Sequence, residues 1–402
     1  MGAIELRKAR GSDPDTILQG LDVNRNSRLG CALSRRKFIA GICMVDVVPL
    51  TRATTPVTLP RKVIIDTDPG VDDALALLLA MSSPELNIEA ITVVAGNVRL
   101  ELGLLNALRM VQISGRSDVR VSAGARAPLE RRLVTATSHG ANGLGGLDFP
   151  LPTIKPVNEP ATEIVHQVVS RSPGEVSIIA IGPLTNVASA LRTHPNLRKQ
   201  VREIVLMGGS LSGGNMTPAA EFNMYVDPEA ANIVFGSGIP LTMVGLDVTR
   251  QCLLSRQHVR ALAMGSSAIS KTAARIAGND LRHARQGGSD RRAMHDPLAV
   301  AAFIDRTLVS LQRYRVAIET QGELTAGETV GYREVPIRRS ASKQSSSVNS
   351  EVGAAYVPNT NVAVGVDAER FFQMFVGRLS GRKLFLTDRG QAARHGDIPG
   401  TK

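Results

Sequence analysis

From residue 61 onward, short apolar runs rich in β-branched residues alternate with longer runs in which apolar residues recur at helical spacing. KVIID, IEAITVVAGN and EVSIIAIGP have the composition of buried strands. DDALALLLAM and RLELGLLNALRMVQIS have the periodicity of helices. Such alternation is typical of βαβ units. It predicts an α/β fold, a single open, largely parallel, doubly wound (Rossmann-like) sheet with helices on both faces.

The second half of the chain continues this alternation. VREIVLMGGS and IPLTMVGLDVT are predicted strands, and PEAANIVFGS is the helix between them. The last predicted elements are the strands RYRVAIET and TNVAVGVD, joined across a Ser-rich surface loop, and the closing helix ERFFQMFVGRL. Ligands of doubly wound sheets bind beyond the carboxyl ends of the strands, so polar residues that follow a strand are the first candidates for a site.

Residues 61–387 are predicted to form one folded domain, residues 1–60 a disordered extension and residues 388–402 a loose tail. Within the extension, SRRKFI at residues 34–39 resembles a twin-arginine export signal, and a short apolar region follows it. We therefore expect an exported protein, periplasmic or secreted. The alternative is a disordered basic tail on a cytoplasmic protein, because Asp46 interrupts the apolar region.

Composition narrows the possible partners. With 43% hydrophobic and 21% charged residues the chain has the make-up of a soluble globular protein, and no apolar run approaches the roughly 18 residues of a membrane span. The net charge of +11 would fit nucleic-acid binding, but the arginines are scattered and aromatic residues make up only 3% of the chain. We expect neither a nucleic-acid partner nor, for the mature form, a membrane. Without the extension only Cys252 remains, so no intrachain disulfide is expected.

Four aspartates, Asp66, Asp68, Asp72 and Asp73, cluster where the first predicted strand meets the first helix. A Pro-Gly turn with an Asp cap on the helix would explain one or two of them. Four carboxylates at the end of a buried strand repel one another unless a cation neutralises them. Because the cluster contains no Cys or His, its oxygen ligands favour a hard ion such as Ca²⁺ over Zn²⁺.

Two other aspartate motifs fit this stretch poorly. An EF-hand loop needs Asp or Asn at its fifth position, where this chain has Gly70. The D-x-D-x-[TV] motif of haloacid-dehalogenase-type phosphatases begins correctly at Asp66, but Gly70 occupies the place of Thr or Val. The stretch DTDPGVDDA at residues 66–74 instead resembles the N-terminal signature of the inosine-uridine-preferring nucleoside hydrolases.

Further motifs of the same family follow in the expected order, and the resemblance runs from about residue 61 to residue 385. They are Ala95-Gly96-Asn97, His139-Gly140, GPLTN at 182–186, VLMGGS at 205–210, GNMTPAAEFNMYVDPEAA at 214–231 and MHDPLAVA at 294–301. The resemblance implies the nucleoside hydrolase fold. It also implies hydrolysis of the N-glycosidic bond of purine or pyrimidine ribonucleosides, which gives ribose and a free base.

The resemblance further implies a bound Ca²⁺, held by the carboxylates of Asp68, Asp73 and Asp296 and by the backbone carbonyl of Ile181. In such a site the ion also holds the ribose 2′- and 3′-hydroxyls and a water whose pKa it lowers. Asp68 is implied as the general base that takes a proton from this water. Asp66 is expected to support the turn from behind.

The remaining implied site residues contact the nucleoside. The matched roles are the ribose 2′- and 3′-hydroxyls for Asp72, Asn97 and Asn223, the 5′-hydroxyl for Asn215 and Glu221, and packing against the sugar for Met207 and Phe222. His295 is implied as the helper of the leaving base, either as proton donor or as hydrogen-bond partner. His139 matches a pocket histidine of the family, although it could equally anchor its Gly-rich loop. Glu221 and Asn223 could also be merely an exposed pair that opens a strand-turn-helix at residues 221–235.

The sequence departs from the family pattern where the nucleobase is expected. The chain has no Trp on which a purine could stack, and residues 276–296 lack the Tyr and Phe that are common there in the family. Arg282, His283, Arg285 and Gln286 occur instead, and Arg285 is predicted to influence mainly base preference. The family likeness also implies a homodimer or homotetramer.

Two other functions stay open at this stage. A catalytically inactive nucleoside- or ribose-binding protein could share the fold, although the intact set of Asp68, Asp72, Asp73, Asp296 and His295 argues against it. The basic charge would also permit a surface-interaction protein, which no motif supports. An enzyme, a ribonucleoside hydrolase, is the leading prediction.

Overall fold

The computed structural model describes residues 59–333 and 357–381. The predicted export signal, Ser-rich loop and C-terminal tail lie outside these residues, and so does the predicted boundary at residue 387. The described strands are β1 (Arg61–Thr67), β2 (Leu86–Val93), β3 (Arg120–Ala123), β4 (Ser177–Ala180), β5 (Glu203–Met207), β6 (Leu241–Val244), β7 (Leu253–Leu254), β8 (Arg292–Ala293), β9 (Val309–Ile318), β10 (Thr329–Tyr332) and β11 (Thr360–Val366). The described helices are α1 (Val71–Met81), α2 (Leu100–Ile113), α3 (Ala161–Arg171), α4 (Thr185–Thr193), α5 (Leu197–Gln200), α6 (Phe222–Val226), α7 (Pro228–Phe235), α8 (Leu246–Thr249), α9 (Arg256–Ala263), α10 (Ala268–Gln286), α11 (His295–Ile304) and α12 (Ala368–Ser380).

Nine of the described strands form one sheet in the order β3-β2-β1-β4-β5-β6-β11-β9-β10. The seven strands from β3 to β11 in this order are parallel, and β9 runs antiparallel to β11 and to β10. The doubly wound, largely parallel fold predicted from the hydrophobic pattern is therefore confirmed. The chain reverses its direction of winding between β1 and β4, which is the position where such sheets bind their ligands.

The protein has two hydrophobic cores, one on each face of the sheet, and successive side chains of β1 pack into them alternately. Ile64 packs on one face of the sheet with α3 and α4, whereas Val63 and Ile65 pack on the other face with α1, α10 and α11. All three side chains are fully buried. Helices thus cover both faces of the central strands, and the residues that follow β1 emerge at the edge between the two layers.

The helix α1, which follows the aspartate-rich turn, is buried on all sides. Ten of its eleven residues are buried, and it packs against α2, α10, α11 and α12. A helix that is apolar all round belongs to a protein core, so its first turn is held firmly at the sheet edge. Neither α1 nor any other helix within residues 59–333 and 357–381 is both long and apolar enough to cross a membrane.

Two predicted elements differ from the structure. The predicted strand IPLTMVGLDVT ends at Val244, because Gly245 turns the chain and the short helix α8 begins at Leu246. Residues 221–235, predicted as a strand-turn-helix, form the helices α6 and α7. Both corrections matter for the site, since α6 and α8 each contribute side chains to it.

Candidate active site

A cavity of about 740 Å³ opens beyond the carboxyl ends of β1, β2, β4 and β5, at the reversal in strand order. Eleven of the thirteen residues predicted for the site line it. They are Asp72, Asn97, His139, Ile181, Met207, Asn215, Glu221, Phe222, Asn223, His295 and Asp296. The other two, Asp68 and Asp73, are fully buried behind the lining.

Four aspartates, Asp68, Asp72, Asp73 and Asp296, form what we call the acid floor of the cavity. Carboxylate oxygens of Asp72, Asp73 and Asp296 lie within 4.8 Å of one another. Burial raises the pKa of Asp68, Asp73 and Asp296, and the charges of neighbouring carboxylates raise these pKa values further. The acid floor therefore resists full ionisation by itself and favours a cation beside it.

Asp68 has one oxygen that the described residues leave unpartnered. Its Oδ2 accepts a hydrogen bond from the backbone N–H of Asn97 at 2.6 Å, but its buried Oδ1 accepts none from the described residues. Gly96 and Gly182 make room for this carboxylate, because a Cβ would lie 2.1 Å from Oδ2 at Gly96 and 2.7 Å from Oδ1 at Gly182. The described residues thus leave a narrow space for Asp68 and provide no hydrogen-bond donor for its Oδ1.

Asp73 is held by donors from the turn that precedes it. Its Oδ1 accepts from the hydroxyl of Thr67 at 2.6 Å, and its Oδ2 accepts from the backbone N–H of Gly70 at 3.0 Å. The side-chain amide of Asn97 donates to the same Oδ2 at 2.9 Å. Asn97 therefore orients both Asp68, through its backbone, and Asp73, through its side chain.

Asp66 lies away from the cavity and connects three elements. Its Oδ1 accepts from the Thr92 hydroxyl at 2.5 Å and from the Asn186 amide at 2.8 Å, which ties β1 to β2 and α4. Burial raises the pKa of Asp66 to about 7, and its Oδ2 also has no partner among the described residues. A protonated carboxyl is compatible with this dry position, so Asp66 supports the structure behind the turn.

The side chain of Asn223 joins two strand ends at the cavity. Its amide nitrogen donates to the backbone carbonyl of Ile181 at 3.2 Å and to that of Met207 at 3.1 Å. Ile181 follows β4 and Met207 ends β5, so this one side chain bridges neighbouring strands. The bridge holds in position the carbonyl that was predicted as a metal ligand.

Glu221 and Asn215 organise the start of α6. Glu221 is buried, and its carboxylate accepts from the backbone N–H groups of Gly209 at 3.0 Å and Met224 at 3.2 Å. Burial raises the pKa of Glu221 to about 7, although these backbone donors lower it. The exposed Asn215 accepts from the backbone N–H of Phe222 at 2.9 Å. The hypothesis that Glu221 belongs to an exposed pair is therefore wrong.

The two predicted histidines both line the cavity. His139 Nδ1 accepts from the backbone N–H of Val71 at 3.0 Å and lies 3.8 Å from Asp72 Oδ1, so this histidine anchors the start of α1 as well as lining the cavity. His295 Nδ1 lies 2.8 Å from the hydroxyl of Thr249 in α8. Burial lowers the pKa of His295, although the Asp72 carboxylate opposes this shift.

Thr249 was missed because its segment was predicted as a strand. Nothing in the sequence around Thr249, which precedes Arg250, marks its hydroxyl as the partner of a site residue. It contacts His295 only because Gly245 ends β6 and turns the chain into α8.

One side of α10 and the strand β8 form what we call the α10 wall of the cavity. It consists of Asp280, His283, Ala284, Gly287 and Arg292. Asp280 is 6% exposed, and Arg292 Nε lies 3.1 Å from its Oδ1. Burial raises the pKa of Asp280, and the Arg292 charge opposes this rise. The sequence interpretation missed this ion pair, which places two charged groups on one wall of the cavity.

Arg285 was predicted to influence base preference, but it does not line the cavity. Residues 280, 283, 284 and 287 share the cavity side of α10, and Arg282 and Arg285 project from another side. They line a separate groove of about 310 Å³ with Arg256, Val259 and Arg260 of α9. Of the four residues singled out between 282 and 286, only His283 lines the cavity.

Comparison with known proteins agrees with this geometry. A model of the family described as "Inosine-uridine preferring nucleoside hydrolase" matches residues 63–373. The pyrimidine-specific ribonucleoside hydrolase RihA of Photobacterium profundum is 43% identical over 275 residues, which are 68% of this chain and 89% of that protein. RihA of Salmonella arizonae is 39% identical over 320 residues, 79% of this chain and 97% of that protein.

Solved structures show the same likeness. The plant nucleoside hydrolase PpNRh1 matches with a TM-score of 0.73 and 34% identity, over 80% of this chain and 100% of that one. The purine-preferring ribonucleoside hydrolase of Gardnerella vaginalis matches with a TM-score of 0.71 and 32% identity, over 80% of this chain and 98% of that one. The chain therefore belongs to the inosine-uridine-preferring nucleoside hydrolase family and is an enzyme of the ribonucleoside hydrolase class.

Proposed function

We propose that this enzyme hydrolyses the N-glycosidic bond of pyrimidine ribonucleosides and that Ca²⁺ is its cofactor. The observation that supports this most is Asp68 Oδ1, which is buried without a hydrogen-bond partner among the described residues, next to three further carboxylates. An unpartnered anionic oxygen in a dry site is strongly destabilised until a ligand binds it. The atoms available here as metal ligands are all oxygens, and such a set fits a hard cation.

Asp68, Asp73 and Asp296 would hold the cation together with the carbonyl of Ile181. A carbonyl oxygen has two lone pairs, so the hydrogen bond from Asn223 leaves Ile181 able to bind a metal. When bound, Ca²⁺ supplies positive charge that lowers the pKa of a water and orients the ribose 2′- and 3′-hydroxyls.

The chain's own residues supply the other parts of the reaction. Asp68 accepts a proton from the attacking water, and the negative charge of the acid floor stabilises the oxocarbenium-like sugar of the transition state. Asp72, Asn97 and Asn223 bind the 2′- and 3′-hydroxyls, while Asn215 and Glu221 bind the 5′-hydroxyl. Met207 and Phe222 pack against the sugar.

His295 assists departure of the base. Its Nδ1 is engaged by Thr249, so Nε2 is the nitrogen left for the substrate. From there the ring can donate a hydrogen bond or a proton to the base as the glycosidic bond breaks. Thr249 acts through His295 as a positioning residue.

The preference for pyrimidines rests on two observations. The two RihA relatives described above are named as pyrimidine-specific enzymes, and they are 43% and 39% identical to this chain. The α10 wall also presents a charged pair, Asp280 and Arg292, and the chain has no Trp on which a purine could stack. Arg292 can donate to the 2-carbonyl oxygen, which uracil and cytosine share.

The test is ribose release by the purified full-length chain. Uridine, cytidine, inosine and adenosine are incubated with the enzyme in Ca²⁺ and, separately, after chelation. We expect ribose mainly from uridine and cytidine, loss of this activity on chelation, and recovery when Ca²⁺ returns. Folded, Ca²⁺-loaded protein that releases no ribose would overturn the proposal, and binding of uridine without turnover would identify a nucleoside-binding protein instead. Equal rates for all four substrates would contradict only the pyrimidine preference.

We also propose export through the twin-arginine segment at residues 34–39, which lies outside the described residues. A reporter fused after residue 60 should be exported, and replacement of Arg35 and Arg36 by Lys should stop this. A reporter that stays cytoplasmic with the native segment would support the basic-tail alternative. The homodimer or homotetramer stays a prediction, which sedimentation of the purified enzyme tests directly.

A further inference from the structure

A second group of metal-ligating side chains lies on the helical layer formed by α3 and α4. Glu163 and His166 belong to α3, and His194 follows the last residue of α4. All three are half-buried, and none of them lines the active-site cavity. Nothing in the proposed hydrolase reaction uses them.

The three side chains are already close together. His194 Nε2 lies 2.9 Å from Glu163 Oε1. The rings of His166 and His194 are stacked, with their centroids 3.8 Å apart and their planes within 2° of each other. One possible ligand atom from each residue lies within 4.8 Å of the other two. Two imidazoles and a carboxylate therefore meet in one small volume.

The backbones that carry these side chains are firmly placed. Glu163 and His166 are three residues apart on one side of α3, and a helix brings side chains with this spacing together. The backbone N–H of His194 donates to the carbonyl of Ala190 at 2.8 Å, and its carbonyl accepts from Leu197 at 3.0 Å. Ile164 of α3 and Leu191 of α4 are buried in the same core. Packed helices thus fix the backbones of the three residues, and only rotation of the side chains can change the distances between the ligand atoms.

We propose that Glu163, His166 and His194 bind a divalent transition-metal ion of the Zn²⁺ class. Two imidazole nitrogens and one carboxylate oxygen are a donor set that Zn²⁺ uses, with a water in the fourth position. Bond lengths of about 2.1 Å in tetrahedral geometry put two ligand atoms about 3.4 Å apart. Glu163 and His194 therefore have to separate only slightly. The stacked rings hold their nitrogen lone pairs in parallel planes, so the His166 ring has to rotate out of the stack before both imidazoles can bind one ion.

This site and the acid floor differ in the ions they select. The acid floor offers oxygens alone, which suit Ca²⁺, whereas the α3–α4 site offers two nitrogens, which suit Zn²⁺. Its ligands come from two helices, so a bound ion would link α3 to the end of α4. Because the three ligands meet only in the folded chain, binding should raise the melting temperature.

The test uses the untagged full-length enzyme in excess Ca²⁺, which keeps the acid floor occupied, with Zn²⁺ as the titrant. We expect one equivalent of Zn²⁺ to bind in calorimetry, and a rise in Tm of about 5 °C at a free concentration about 100-fold above Kd. Co²⁺ in place of Zn²⁺ should give the visible absorption of a tetrahedral complex.

The matched variants are His166→Ala, His194→Ala and Glu163→Gln, with Gln167→Ala on the same helix as the control. The first three should weaken Zn²⁺ binding at least about tenfold and remove the rise in Tm, while Gln167→Ala and Asp296→Asn should retain both. Circular dichroism establishes that each variant is folded, and Glu163→Gln, which preserves size and hydrogen bonding, guards against a histidine variant that fails to fold. Zn²⁺ binding weaker than about 100 µM, or equal binding by all variants, would overturn the proposal.

Discussion

The acid floor and the α10 wall face the same cavity but are held in different ways. The floor carboxylates of Asp68 and Asp73 are fully buried and accept hydrogen bonds from backbone N–H groups. The wall consists of side chains on one helix and on a two-residue strand, joined by the Asp280–Arg292 ion pair. Buried groups with several hydrogen-bond partners tolerate little change, whereas side chains that only line a cavity can be exchanged while the fold persists. We infer that the floor determines the reaction and the wall determines which base is accepted.

Removing the proposed base from the floor should have the largest effect. Asp68→Asn keeps the size of the side chain but lowers its basicity, so kcat for uridine should fall by at least about 10³-fold. Steady-state ribose release measures this, and Asp118→Asn on the surface is the control, since Asp118 pairs only with Arg116 in an exposed position. A variant of Asp68 with more than about a tenth of the normal kcat would show that another group acts as the base.

Displacing the same carboxylate without removing it should have the next largest effect. In Gly96→Ala the new Cβ would lie 2.1 Å from Asp68 Oδ2, so the carboxylate has to move. We expect about a 10²-fold loss of kcat/KM together with weaker Ca²⁺ binding in calorimetry. Gly365→Ala is the matched control, because its Cβ would meet Ser310 at an ordinary 3.5 Å. Unchanged Ca²⁺ affinity in Gly96→Ala would contradict the role given to Asp68.

Changing the α10 wall should alter the preference between nucleobases, with little effect on the rate of bond cleavage itself. Arg292→Gln removes the charge that we assign to the pyrimidine carbonyls, so the ratio of kcat/KM for uridine to that for inosine should fall about tenfold. Arg285→Gln on the other side of α10 should leave this ratio unchanged. If instead Arg292→Gln lowered kcat/KM for both nucleosides equally, the division between floor and wall would be wrong.

The smallest predicted effect is a change in how the free energy of unfolding depends on pH when Glu221 is replaced. Burial raises the pKa of Glu221 from 4.5 to about 7, so in this interval the folded protein holds a proton that the unfolded chain has released. The corresponding contribution to the free energy of unfolding, about 3 kcal/mol, is fully present below about pH 4.5 and is lost as the pH rises through 7.

In Glu221→Gln this part of the pH dependence should disappear, while the part due to other buried carboxylates such as Asp66 remains. Urea unfolding at about pH 5 and about pH 7.5 measures the difference in the free energy of unfolding for each protein. The decrease between the two pH values should be smaller in the variant than in the native enzyme. Glu319→Gln is the control and should match the native enzyme, because backbone N–H groups lower the pKa of Glu319 and keep it ionised at both pH values. Equal decreases in the native enzyme and Glu221→Gln would indicate that Glu221 is ionised throughout.

The fold and three of the floor aspartates, Asp68, Asp72 and Asp73, could be predicted because short stretches of sequence mark them, whereas Asp296 was assigned through the family resemblance. The strand periodicity of KVIID and the aspartates directly after it are local signals, and parallel strands bring their carboxyl ends to one edge. The wall could not be predicted in the same way. Arginines occur on both sides of α10, so charge alone does not reveal which side faces the cavity.

The contacts that the sequence interpretation missed join distant segments. Arg292 meets Asp280 only because the chain returns as β8 after the helix ends, and Thr249 meets His295 only because β6 is shorter than its apolar run indicates. The Glu163–His166–His194 group is likewise assembled from two helices. Proximity of this kind follows from packing, and no local periodicity encodes it.

The buried helix α1 has a consequence for genetics. Asp72 and Asp73 form its first turn, and the leucines of its later turns, such as Leu77 and Leu78, are fully enclosed by neighbouring helices. A substitution there would tilt or loosen the helix and so shift the two carboxylates at its start. A random mutagenesis screen for lost activity should therefore recover Leu77 and Leu78 together with the aspartates, although neither leucine contacts a nucleoside.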